Sequence, residues 1–121
     1  FLGKKALGVN LSDIAAMGGT PKYFLLSLGM PKDLDLSFVS RFYRGLRDMA
    51  KPFRVDLIGG DIALSQKIII NICLLGEGEK KNLLYRKGAH DGYDLASFFR
   101  RNSDVLKSEI DKVLTALLKA A

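Results

Sequence analysis

Two aspartates, Asp13 and Asp61, are the residues of this chain best placed to do chemistry. Asp13 stands directly before Ile14-Ala15-Ala16-Met17 in a segment nearly free of other charge, and Asp61 follows Ile58-Gly59-Gly60. Paired glycines let backbone come close to a ligand while the next carboxylate projects toward it. Together, two carboxylates can hold a magnesium ion, which takes a few such oxygens and keeps its other positions for water and phosphate. The result would be a nucleotide-phosphate site, to which Tyr43 adds a ring for stacking and Arg86 a cation for phosphate. Each residue also has a plainer explanation. Asp13 can face solvent or bond locally to Asn10 or Ser12, and Asp61 can serve a turn. Tyr43 can be core, and Arg86, beside Lys87, can be surface.

Other chemistries find no support in the sequence. It contains no G-x-x-x-x-G-K-[ST], no G-x-G-x-x-G after a strand, no G-x-S-x-G elbow and no His and Cys cluster with metal-ligand spacing. The single histidine, His90, lies in a polar loop with Asp91 and Gly92 and is given no role.

The elements that must position these residues follow from periodicity. Leu2, Ala6, Val9, Ile14 and Met17 predict one apolar face of a helix that ends at Gly18-Gly19. Lys22 to Leu28 predicts a buried strand, closed by Gly29 and Pro31. Phe38, Val39, Phe42, Tyr43, Leu46 and Met49 recur at helical spacing and predict a second helix from Leu36 to Ala50, stopped by Pro52. Val55 to Ile58 predicts a short strand that stops at Gly59-Gly60, and Lys67 to Leu75 a longer one; Leu83 to Arg86 then pairs back across the turn at Gly76 to Glu79. That order predicts an α+β fold, a mixed β-sheet with helices on one face. Beyond Leu95 the texture changes. Asn102 or Ser103 can cap an amphipathic helix striped by Val105, Leu106, Ile110, Val113, Leu114, Leu117 and Leu118. The division expected is therefore 1–95 for the metal- and nucleotide-binding domain and 96–121 for a helical tail.

Composition narrows the function classes. The 121 residues suffice for one compact core, and no apolar run approaches the length that crosses a bilayer. The net charge of +6 comes from scattered basic pairs mixed with acids, which argues against nucleic acid and suits a small phosphorylated ligand. Cys73 is the only cysteine and falls in an apolar strand pattern, so a buried, unreactive thiol and a cytoplasmic setting are expected.

A family resemblance sharpens this reading. Lys5 to Gly19, KALGVNLSDIAAMGG, resembles the KALAVNLSDLAAMGA segment of thiamine-monophosphate kinases. The likeness continues through Pro21, Phe24 to Leu28, Pro31, Phe42-Tyr43-Arg44-Gly45-Leu46, Leu57-Ile58-Gly59-Gly60-Asp61, Arg86-Lys87-Gly88-Ala89, Gly92 and Asp94. The Asn-Leu-Ser-Asp spacing and the double glycine set these kinases apart from related aminoimidazole-ribonucleotide synthetases, selenophosphate synthetases and hydrogenase-maturation proteins. The resemblance implies that Asp13 and Asp61 are magnesium ligands, that Gly60 and Asp61 lie at the ATP phosphates, and that Tyr43 and Arg86 contact ATP. The implied reaction moves the ATP γ-phosphoryl group onto thiamine monophosphate, the protein aligning two anions rather than supplying a nucleophile. It also implies a homodimer in which two sheets join. Where the family carries two threonines, this chain has Ile62 and Ala63, and the family's Gly-Asp-Asp and Asp-Thr metal segments and its second domain have no counterpart here. The expectation is a fragment that is inactive alone. The alternative is a dimerising scaffold or interaction module of the same fold.

Overall fold

The computed structural model describes residues 1–85, in which two helices lie on one face of a three-stranded mixed sheet. Residues 86–121 lie outside that range, and with them the role of Arg86 and the helical tail; the expected strand from Leu83 to Arg86 is corrected where it is described, since Leu83 to Tyr85 form no strand and Leu84 N donates instead to Met17 O, at 3.0 Å. The elements run α1 (Leu2–Ala16), β1 (Thr20–Met30), α2 (Leu36–Phe53), β2 (Asp56–Leu64) and β3 (Ile69–Glu77). The sheet order is β2-β1-β3, with β2 parallel and β3 antiparallel to β1. The parallel pair needs a crossover, and α2 supplies it.

Alternation along β1 makes the sheet two-faced. Phe24, Leu26 and Leu28 are buried under the helices, while Tyr23, Leu25 and Ser27 are exposed on the other side. Leu7 and Leu11 of α1, Phe42, Leu46, Met49 and Ala50 of α2, and Val55 close the core. Helix α2 begins where the Asp35 carboxylate accepts a hydrogen bond from Ser37 N at 2.8 Å, capping an otherwise orphan amide. It runs past the expected stop, with Pro52 in its last turn and Arg54 in the left-handed conformation closing it. Proline's missing N–H costs one hydrogen bond, and the turn survives because packing holds it.

Three further sequence expectations are corrected. On α1 the buried positions are Gly3, Leu7, Gly8, Leu11 and Ala15, whereas Leu2, Val9 and Met17 are exposed. The reason is close helix contact: a Cβ on Gly3 would sit on the carbonyl of Phe42, and one on Gly45 would stand 3.2 Å from Lys4 N. The smallest residues face the partner helix, and a pattern counted in large apolar residues overlooks them. Strand β2 does not stop at Gly59-Gly60 but continues through them to Leu64. Cys73 is exposed, because only alternate residues of β3 (Ile70, Ile72 and Leu74) turn toward the helices.

Candidate functional site

Asp61 lies inside β2, and its strand partner on β1 is Ser27, whose own partner on β3 is Asn71. Ser27 is an exposed position between buried Leu26 and Leu28, so this row sits on the sheet face away from the helices. Partners in register share a face, with Cβ atoms about 5 Å apart. Asp61, Ser27 and Asn71 therefore form a polar row crossing all three strands. Magnesium takes hard oxygen donors of this kind, a carboxylate with a hydroxyl and an amide carbonyl, and fills the rest with water and phosphate.

The double glycine has a structural task in this strand. The pairing of β1 and β2 shifts register between Phe24 and Leu25, and Gly60 takes φ +154. A Cβ there would collide with the Leu26 carbonyl oxygen, so what comes close to Gly60 is the central strand. Gly59 is different, since a Cβ added to it would meet only Leu25 Cδ2, at 3.3 Å.

Asp13 occupies another part of the molecule. It is exposed near the end of α1, and neither Asn10 nor Ser12 engages it: Asn10 Nδ2 donates to Ala6 O at 2.8 Å and Ser12 Oγ to Val9 O at 2.7 Å. The adjoining Ile14 side chain lies within 3.4 Å of where a Gly76 Cβ would stand, and Gly76 pairs with Pro21. From Pro21 to Ser27 is six strand positions, about 20 Å at roughly 3.3 Å per residue. Carboxylates sharing one magnesium ion must bring oxygens to about 2.1 Å from it. Within one chain Asp13 and Asp61 do not share an ion, contrary to the simplest reading of the sequence.

Tyr43 stands in a third place. With Ser40, Arg44 and Arg47 it lines a groove of about 590 Å³ between α2 and the start of β2, closed on the strand side by Asp56 and Leu57 and floored by Phe24, Leu46, Ala50 and Val55. Its ring meets Phe42 edge to face, with centroids 5.9 Å apart. Tyr43 is thus both half-buried core and groove wall. Two guanidiniums one turn apart make the groove attractive to anions, and its volume falls within the usual range for small-molecule sites. Sequence reasoning missed Arg44 and Arg47, although their three-residue spacing on the helix of Tyr43 was legible. Ser27 and Asn71 were not legible, because only strand register sets them beside Asp61. Among the described residues, no group of three or more His, Cys, Asp or Glu could hold a metal ion.

A helix pair over a β2-β1-β3 mixed sheet matches a known architecture. The family model described as AIR synthase related protein, N-terminal domain, matches residues 1–77, and the chain belongs to that family. Within it, the chain is similar to thiamine-monophosphate kinases. It is 43% identical over 91 residues to the thiamine-monophosphate kinase of Aquifex aeolicus, an alignment covering 75% of this chain and 29% of that one. It is 37% identical over 116 residues to that of Pyrococcus horikoshii, covering 96% and 34%, so this second alignment runs past the boundary expected at 95. The solved structure of AaThiL complexed with AMPPCP and TMP superposes with a TM-score of 0.66 at 39% identity, covering 74% of this chain and 30% of that one. The chain spans about a third of the length of the curated relatives it matches.

Proposed function

We propose that this chain is the nucleotide- and metal-binding portion of a thiamine-monophosphate kinase, which transfers the ATP γ-phosphoryl group to thiamine monophosphate. The observation that carries the reading is the similarity to these kinases over three quarters of the chain, in sequence and in fold. In this reading Asp61 and Asp13 ligate separate magnesium ions, Gly60 shapes the strand that presents Asp61, and Tyr43 contacts ATP from the groove that Arg44 and Arg47 make cationic. Arg86 is a further ATP contact. Bound magnesium would neutralise phosphate charge, and the residues of this chain hold and orient the anionic nucleotide for a phosphoryl transfer that depends on alignment. The setting is cytoplasmic, and among the described residues no helix is long and apolar enough to cross a membrane. Two copies pair through the exposed sheet face as a homodimer.

The test is calorimetric titration of the full chain with AMPPCP in magnesium and in EDTA. Metal-dependent binding, weakened at least tenfold in Asp61→Asn and in Asp13→Asn, is the expected result. A folded chain with no affinity for the nucleotide in magnesium overturns it. Exposed Tyr23, Leu25, Ile69 and Leu75 support a second reading, a dimerising scaffold of the same fold. Full-strength self-association without nucleotide binding is the outcome that selects it.

A further inference from the structure

The helix layer stops short of one strand. Helix α1 lies over β1 and β3, and α2 packs on α1, so Ile70, Ile72 and Leu74 of β3 are partly buried. All nine residues of β2 are exposed. Register sets Leu57, Ile62 and Leu64 opposite Phe24, Leu28 and Met30, on the side of the helices, and there they are 42%, 54% and 77% exposed. Leu57 also lines the Tyr43 groove, which joins this apolar strip to the flank of α2. Folded domains seldom leave such a strip bare, and the apolar side of a sheet is ordinarily covered by a second layer.

The chain carries a segment suited to cover it. Residues 102–118, outside the described range, hold the amphipathic pattern of Leu106, Ile110, Val113, Leu114 and Leu117. A helix over 102–118 is about 25 Å long at roughly 1.5 Å per residue, and Leu57 to Leu64 spans about 23 Å at roughly 3.3 Å per residue. The starting point is also favourable. Leu84 N donates to Met17 O at 3.0 Å, by the close of α1, and this is the end of the sheet where the parallel strands β1 and β2 both begin. From there residues 86–101 reach about 50 Å when extended, against a three-stranded sheet roughly 10 Å across. A tethered segment meets the strip at an effective concentration in the millimolar range, which a second copy of the chain at micromolar concentration does not match. We propose that residues 102–118 dock as an amphipathic helix on the helix side of β2, alongside α2, with their stripe on Leu57, Ile62 and Leu64. A helix there also closes the open side of the Tyr43 groove. This consequence, and only this one, rests on the nucleotide site of the proposed function: segment and nucleotide compete for the groove.

Hydrogen exchange of the full chain, read by mass spectrometry, tests it. Amides of 102–118 are expected to exchange at least tenfold more slowly than in an unfolded chain, and equally so across a tenfold range of protein concentration. Leu64→Asp and Ile62→Asp place a charge at positions exposed among the described residues, so each is expected to leave the sheet folded and to return the segment to the unfolded rate. Amides of β1, read in the same run, report that the fold is intact. Leu75→Asp, on the opposite face, is expected to leave the protection in place. A segment that exchanges at the unfolded rate in the parent overturns the docking, as does protection that survives both Leu64→Asp and Ile62→Asp. Protection that grows with protein concentration overturns it too, the occupant then being a second copy. Saturating AMPPCP with magnesium is expected to speed exchange of the segment at least threefold, and bound nucleotide without that effect overturns the competition and leaves the docking. If AMPPCP does not bind, the kinase reading fails, while the two β2 variants still decide the docking.

Discussion

Replacing Gly60 with alanine is the sharpest test of how β2 is built, because its neighbour Gly59 supplies an internal control. At Gly60 a Cβ would lie against three backbone atoms of Leu26 at once, the carbonyl oxygen, the carbonyl carbon at 2.7 Å and the nitrogen at 2.9 Å. None of these belongs to a side chain that can swing aside. The backbone also holds φ +154, a conformation that costs an L-residue about 1–3 kcal/mol. Relieving the clash means drawing β2 away from β1, which weakens two or so ladder hydrogen bonds at about 1 kcal/mol each. Alanine's lower unfolded-state entropy returns about 0.4–1 kcal/mol. The net expected loss is about 3 kcal/mol, a large share of the roughly 5–15 kcal/mol that holds a domain together. Gly59→Ala meets only the end of the flexible Leu25 side chain and is expected to stay within about 0.5 kcal/mol of the parent. Urea unfolding followed by circular dichroism at constant m-value measures both. If Gly60→Ala unfolds within about 0.5 kcal/mol of the parent, the close approach of the two strands is not what requires glycine, and a ligand-facing reason for the pair regains its place.

Three further outcomes follow from the same structure. Gly3→Ala is expected to destabilise by about 1–3 kcal/mol despite alanine's better helix propensity, since the methyl overlaps the Phe42 carbonyl; thermal unfolding reads it directly. Phe24→Ala, at the fully buried centre of β1, is expected to cost about 3–5 kcal/mol in the same assay. The Asp35 carboxyl is held below the usual carboxylate range, first by the hydrogen bond from the Ser37 hydroxyl and then by that from its amide. A depressed folded-state value means that this cap stabilises α2 fully above the ordinary aspartate range near 4 and loses that contribution as pH falls through the folded value. Comparing midpoints at pH 7 and pH 3 should therefore show Asp35→Ala with a shallower acid dependence than the parent, and equal dependence would show that the cap plays no part.

The corrected details share one cause: they depend on what faces what, which periodicity does not record. Helix α1 was legible as a helix from its spacing and its Gly18-Gly19 stop, but its buried side was misjudged because glycines at 3 and 8 carry no hydrophobic signal and yet permit the tightest contact with α2. Strand β2 was legible only in part, since two glycines read as a stop until the bulge and the approach of Leu26 explain them. Cys73 belongs to a run of apolar residues, and only a sheet covered on one side shows that half of such a run faces out.

By itself the sequence determined the order of the elements from α1 to β3, the fold class of two helices on a mixed sheet and much of the core face of α2, because these follow from local spacing and residue identity. Tertiary structure alone decided that Asp13 lies by the start of β1 while Asp61 lies beside Ser27 toward its other end, that Asp61 shares its row with Ser27 and Asn71, and that Tyr43 shares a groove with Arg44, Arg47 and Asp56. The physical reason is that register and crossover geometry are set by long-range backbone pairing, so residues far apart in the chain become neighbours through contacts no short window of sequence contains.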